Sequence, residues 1–93
     1  MTSIFLEGLA DEAEARVVLS RLLPHWIEPW LLKDAAADTV AIFTVIRVSE
    51  GTVSIQADAF GLQDRAPEMA IDVLRTLQAE LGGTITDGDE NVL

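Results

Sequence analysis

Residues 39–60 read TVAIFTVIRVSEGTVSIQADAF, and the fold turns on how this stretch pairs with itself. Two runs rich in β-branched and aromatic residues flank Glu50-Gly51, which is a hairpin signal. With Glu50 and Gly51 as the loop, Val48 is expected opposite Val53, Ile46 opposite Ile55, Thr44 opposite Ala57 and Ile42 opposite Ala59. Side chains alternate along a strand, so these residues share one face, and that face is almost wholly apolar. The other face then carries Arg47 with Ser54, Val45 with Gln56, Phe43 with Asp58 and Ala41 with Phe60. A slip of one residue exchanges the faces, so the apolar set is also expected to set the register. The mixed face reads either as a docking surface or as an ordinary solvent-facing sheet.

Outward from the hairpin, Ser3–Glu7 is short and β-like, and Gly8 breaks it. Asp11 is the expected N-cap of a helix, with Glu14 three residues on. That helix places Ala15, Val18, Leu19, Leu22 and Leu23 on one stripe, leaves Val17 off it, and ends at Pro24. The connection PHWIEPW holds both tryptophans, Trp26 and Trp30. They read as a lid on one end of the core, or as a ligand or partner hot spot. Residues 30–32 are a candidate short strand, and DAAAD, residues 34–38, a turn or loop. A second helix follows Gly61, with Asp64 or Ala66 at its cap and Pro67 in its first turn. Its stripe is Ala70, Val73, Leu74, Leu77 and Leu81, and Gly82-Gly83 stops it. Residues 84–86 can add an edge strand, and residues 87–93 form an acidic tail expected to fray.

The expected fold is therefore one α+β domain over residues 1–93. The order βαββα(β) is that of a ferredoxin-like split βαβ arrangement, with both helices on one face of a small antiparallel sheet. A meander in which residues 30–33 supply a strand and the tail supplies none is the rival.

Charge is the strongest compositional feature. Sixteen Asp and Glu against six Lys and Arg leave a formal net charge of -10. Such a chain repels phosphate backbones and anionic membrane surfaces, so neither direct nucleic-acid binding nor membrane binding is expected. A basic protein surface is the natural counterpart, although a negative charge also serves solubility alone. On the second helix Asp64, Glu68 and Asp72 recur at i, i+4, i+8, a row that imitates the spacing of strand phosphates or simply solvates the helix. The absence of cysteine rules out a disulfide framework and fits a reducing compartment. No apolar run approaches the roughly 18 residues of a membrane span, and the start of the chain lacks a basic leader region, so a cytoplasmic protein is expected.

Chemistry is thinly signalled. His25 is the only histidine, and no nucleophile stands in a recognisable arrangement with it. Asp87, Asp89 and Asn91 imitate the first ligands of a calcium loop, but Val92 stands where glycine belongs. No catalytic residue, metal site or cofactor is expected.

These features point to a non-catalytic interaction protein: a small acidic binder or inhibitor of a basic or nucleic-acid-binding protein, in the physical class of immunity proteins and of nucleic-acid or anti-CRISPR mimics. The alternative is a small-ligand sensor with its site near Trp26 and Trp30. An enzyme using His25 ranks third. The expected contact residues are Asp64, Glu68 and Asp72 on the helix, Trp26 and Trp30 in the loop, and Phe5, Phe43, Val45 and Phe60 on the open sheet face. An aromatic cluster on that face is the expected seat of a homodimer.

Overall fold

The structure is a computed structural model and describes residues 2–24, 29–60, 66–87 and 91–93. Its elements are β1 (Thr2–Leu9), α1 (Glu12–Leu22), β2 (Trp30–Lys33), β3 (Thr39–Ser49), β4 (Thr52–Ala59), α2 (Ala66–Leu81) and β5 (Thr84–Asp87). The strands form one five-stranded sheet in the order β2-β3-β4-β1-β5, and every neighbouring pair is antiparallel. The protein is thus α+β, with two helices and an antiparallel sheet. Residues 30–33 and 84–87 both supply strands, and β2 and β5 are the two edges. Among the described residues no helix is long and apolar enough to cross a membrane.

Local sequence explains the helices. Asp11 caps α1 through its carboxylate, which accepts from the Glu14 backbone N–H at 3.1 Å and satisfies one of the orphan donors of the first turn. The helix ends at Leu22, before Pro24. Ala15, Val18 and Leu19 are buried and Val17 is exposed, as the stripe requires. On α2 the buried residues are Ala66, Ala70, Leu74 and Leu77. Both stripes join one core with Ile4, Leu6, Phe43, Ile55 and Ala57 from the sheet, so both helices lie on the same face. Gly83 follows α2 at φ +90°, where a Cβ would stand 2.6 Å from the Glu7 carbonyl oxygen. Glycine therefore lets the chain pass from helix to β5 against β1 without a spacer.

The central hairpin departs from expectation. Glu50 and Gly51 do form its loop, with Ser49 paired to Thr52. The ladder then shifts: Arg47, not Val48, stands opposite Val53, so Val48 is an extra residue on β3. Beyond this bulge Val45 faces Ile55, Phe43 faces Ala57 and Ala41 faces Ala59. The helix-facing set of β3 is therefore Ala41, Phe43 and Val45, and Ile42, Thr44 and Ile46 face the other way. The turn offers a physical reason. Of its two loop residues only Gly51 has positive φ, +78°, whereas a type I′ turn requires positive φ at both. Loops without the primed geometry splay their strands, and a bulge next to the turn restores right-handed twist. The shift also buries Phe43 in place of the smaller Ile46.

The two ends of the sheet are finished by backbone contacts. The 34–38 turn is organised by Asp34, whose Oδ1 accepts from the backbone N–H of Ala36 and Asp38 at 2.9 and 3.0 Å. In the tail, Val92 bridges to Thr86, and the Leu93 N–H donates to the Ile85 carbonyl at 2.9 Å. The described tail residues therefore run back along the outer edge of β5.

Candidate functional site

The face of the sheet turned away from the helices presents Ser3, Phe5 and Glu7 from β1, Ser54, Gln56 and Asp58 from β4, Ile42, Thr44 and Ile46 from β3, Leu31 from β2, and Thr84 and Thr86 from β5. This set follows from the pairing registers and strand alternation. Phe5, Ile42, Ile46 and Leu31 are half-buried, and Thr44 is exposed. The face has a polar centre on β4, an apolar ridge of Leu31, Ile42 and Ile46 on one side, and on the other Phe5 among polar residues. At its middle Ser3 Oγ donates to Asp58 Oδ1 at 2.6 Å, and Gln56 Nε2 donates to the same oxygen at 2.9 Å. Farther along, Ser54 is buried, and its hydroxyl donates to the Leu6 carbonyl at 3.3 Å. Thr86 is buried between its cross-strand neighbours Phe5 and Val92, and among the described residues its hydroxyl has no hydrogen-bond partner.

The expected aromatic cluster does not assemble here. Phe5 is on the open face, but Phe43 is fully buried on the helix side. Val45 also turns inward and packs against the core. Both corrections follow from the bulge at Val48, which inverts the faces of β3 relative to β4. Phe60 lies just past β4, is half-buried, and donates its backbone N–H to the Val40 carbonyl at 2.9 Å. Ile46, expected in the core, is half-buried on the open face instead.

Trp30 is a core residue, 1% exposed. Its Nε1 donates to Ser20 Oγ at 3.0 Å, and the Arg16 guanidinium sits 5.6 Å from the ring centroid. The ring thus ties β2 to α1 by a partly buried hydrogen bond and a cation–π contact. Beside it lies a cleft of about 390 Å³ lined by Arg16, Pro29, Trp30, Ile42, Thr44 and Val45. It sits where β2 ends and the outer edge of β3 continues without a strand beside it. Trp26 and His25 lie outside the described residues.

On α2, Glu68 and Asp72 are exposed one turn apart, and Asp64 lies outside the described residues. They share a shallow groove with Ile71 and Arg75, so the acidic row is interrupted by a cation. Elsewhere arginines are committed to acids. Arg47 reaches Glu12 at 2.8 Å, Arg16 lies 4.0 Å from the same carboxylate, and Arg21 pairs with Glu80. These partly exposed pairs contribute little to stability. Their consequence is electrostatic: they neutralise cations within the chain and leave the surplus of acids facing outward.

The sequence places Asp58 on the mixed face without singling it out. An acid between Ala57 and Ala59, in a strand that otherwise alternates cleanly, is the available signal. Arg16 and Ile42, which line the cleft, carry no local signal, because their meeting depends on how α1 lies across the sheet. In comparisons with family models, curated proteins and solved structures, the chain matches none.

Proposed function

We propose that this protein is a non-catalytic, acidic interaction domain that binds a basic surface on another protein and occludes it. The observation that carries this reading is the outward surplus of negative charge. Glu7, Asp11, Glu14, Asp38, Glu50, Glu68 and Asp72 are exposed, while Arg16, Arg21 and Arg47 are held against Glu12 and Glu80. A field of one sign speeds association with a partner of the other sign and weakens as salt screens it. The test is affinity capture from the native host at low and then high salt, followed by association kinetics with the captured protein. A basic partner whose association rate falls steeply with salt supports the reading; capture only of neutral or acidic partners, insensitive to salt, removes it. A cytoplasmic setting belongs to the same proposal, on composition alone.

The ferredoxin-like reading of the fold belongs here too. Its support is that β1 and β3 run parallel with β4 between them, and β4 and β5 run parallel with β1 between them. Each pair is joined through a helix, as in two interleaved split βαβ units. On this reading β2 is an added edge strand inserted between α1 and β3.

A second reading, a small-ligand sensor, is favoured by the cleft beside Trp30. Among the described residues its one charged lining residue is Arg16, which lies 4.0 Å from Glu12, so the ligand class this reading takes is a small anion with an apolar body. Tryptophan fluorescence during titration with small carboxylates tests it, and a flat response across the set counts against a ligand site there.

A further inference from the structure

The open sheet face holds a carboxylate whose surroundings say what it lacks. Asp58 stands on β4 with Ser3 of β1 on one side and Ile42 of β3 on the other. Among the described residues its hydrogen-bond donors, the Ser3 hydroxyl and the Gln56 amide, are neutral, and both reach the same oxygen, Oδ1. They fix the carboxylate's orientation without neutralising its charge. Among the described residues the ion pairs fall on Glu12 and Glu80, not on Asp58. The described donors to this half-buried carboxylate are neutral and both lie on Oδ1, so the group keeps its charge and Oδ2 can take a charged donor from a partner. Around Ser3 and Gln56 the neighbouring positions are apolar: Ile42 lies directly across, Leu31 beyond it on β2, and Phe5 on the diagonal through Gln56.

We propose that Asp58 is the anchor for an arginine side chain of the basic partner, which docks on the open sheet face rather than along α2. This inference rests on the acidic-binder reading above and adds the place of contact. The guanidinium donates to Asp58 Oδ2, its plane lies against Phe5, and its aliphatic stem runs over Ile42. Arginine fits better than lysine because its planar fork meets a carboxylate edge-on and stacks on an aromatic ring. The hydrogen bonds from Ser3 and Gln56 hold the carboxylate in place before the partner arrives, which lowers the ordering cost of binding.

The probe is a capped pentapeptide alternating valine and arginine, with a twin in which citrulline replaces arginine. The twin keeps the planar shape and part of the N–H donor set but removes the charge. Titration of the isotope-labelled protein at low salt is expected to shift the amides of Ser3, Phe5, Thr44, Gln56 and Asp58. The citrulline twin and the Asp58→Asn variant should each weaken binding by at least about tenfold, the scale of one lost charge-assisted hydrogen bond. Asparagine keeps an acceptor for Ser3 and Gln56, and the variant's unfolding midpoint checks that the fold is retained. Should the variant unfold, the shift map of the unmodified protein decides alone, read with the carboxyl carbon of Asp58. Shifts confined to Glu68, Asp72 and their neighbours, undiminished in Asp58→Asn, overturn the anchor and leave the acidic-binder reading standing. Absence of any shift with the arginine peptide at low salt overturns both.

Discussion

Strands β3 and β4 are partners in one hairpin, yet their sequences constrain them very differently. In β4, Val53, Ile55, Ala57 and Ala59 alternate with Ser54, Gln56 and Asp58, so only one face is apolar. The structure buries that face. In β3, Ala41, Phe43 and Val45 alternate with Ile42, Thr44 and Ile46, and both sets are largely apolar. Periodicity names a face only where the two faces differ in polarity. Here they do not, so β3 takes its register from its neighbours and from the turn. One extra residue, Val48, then decides that Phe43 is core and Ile46 is not.

The largest expected effect breaks or upholds that assignment. Phe43→Ala should cost about 3–5 kcal/mol, through lost transfer energy and a cavity in the core that it shares with Leu19, Leu74 and Leu77. Ile46→Ala, on the half-open face, should cost nearer 1 kcal/mol. Urea unfolding of the two variants measures both, and a larger cost at Ile46 than at Phe43 would mean that the faces are reversed.

Next come the turns at the two ends of β3. Gly51 sits at φ +78°, and a Cβ added there would meet nothing within 4 Å, so Gly51→Ala isolates backbone strain from crowding. It should destabilise by about 1 kcal/mol. At the other end Ala37 occupies the same left-handed region, at φ +65°, without glycine's freedom. Ala37→Gly should therefore stabilise, by less than about 1 kcal/mol because glycine also loses more entropy on folding. Opposite signs at the two turns, read as shifts in thermal midpoint, would sharpen the contrast between a turn chemically suited to its geometry and one held by Asp34.

The smallest expected effect on folding is on α2. Reversing Glu68 and Asp72 to Lys should change stability by no more than about 0.5 kcal/mol. Association with a basic partner should slow and become less sensitive to salt, because long-range attraction falls with the charge removed. Unchanged association rates in stopped-flow would show that α2 plays no part in steering and would end the nucleic-acid-mimic reading.

What the sequence by itself determined is what short-range physics controls. The Asp11 cap, the stripes of α1 and α2, the loop at Glu50-Gly51 and the stop at Gly82-Gly83 all depend on residues within a turn or two of each other. The inward face of β4 belongs to the same class, since its own alternation specifies it. Only the tertiary structure decided the rest. The register of β3, the burial of Phe43 and Trp30, the reach of Arg47 to Glu12, and the Ser3–Asp58 contact on the open face depend on residues far apart in the chain. Such contacts follow from which strands become neighbours and how the helices cross them, and where a strand is apolar on both sides no local pattern can choose between its faces.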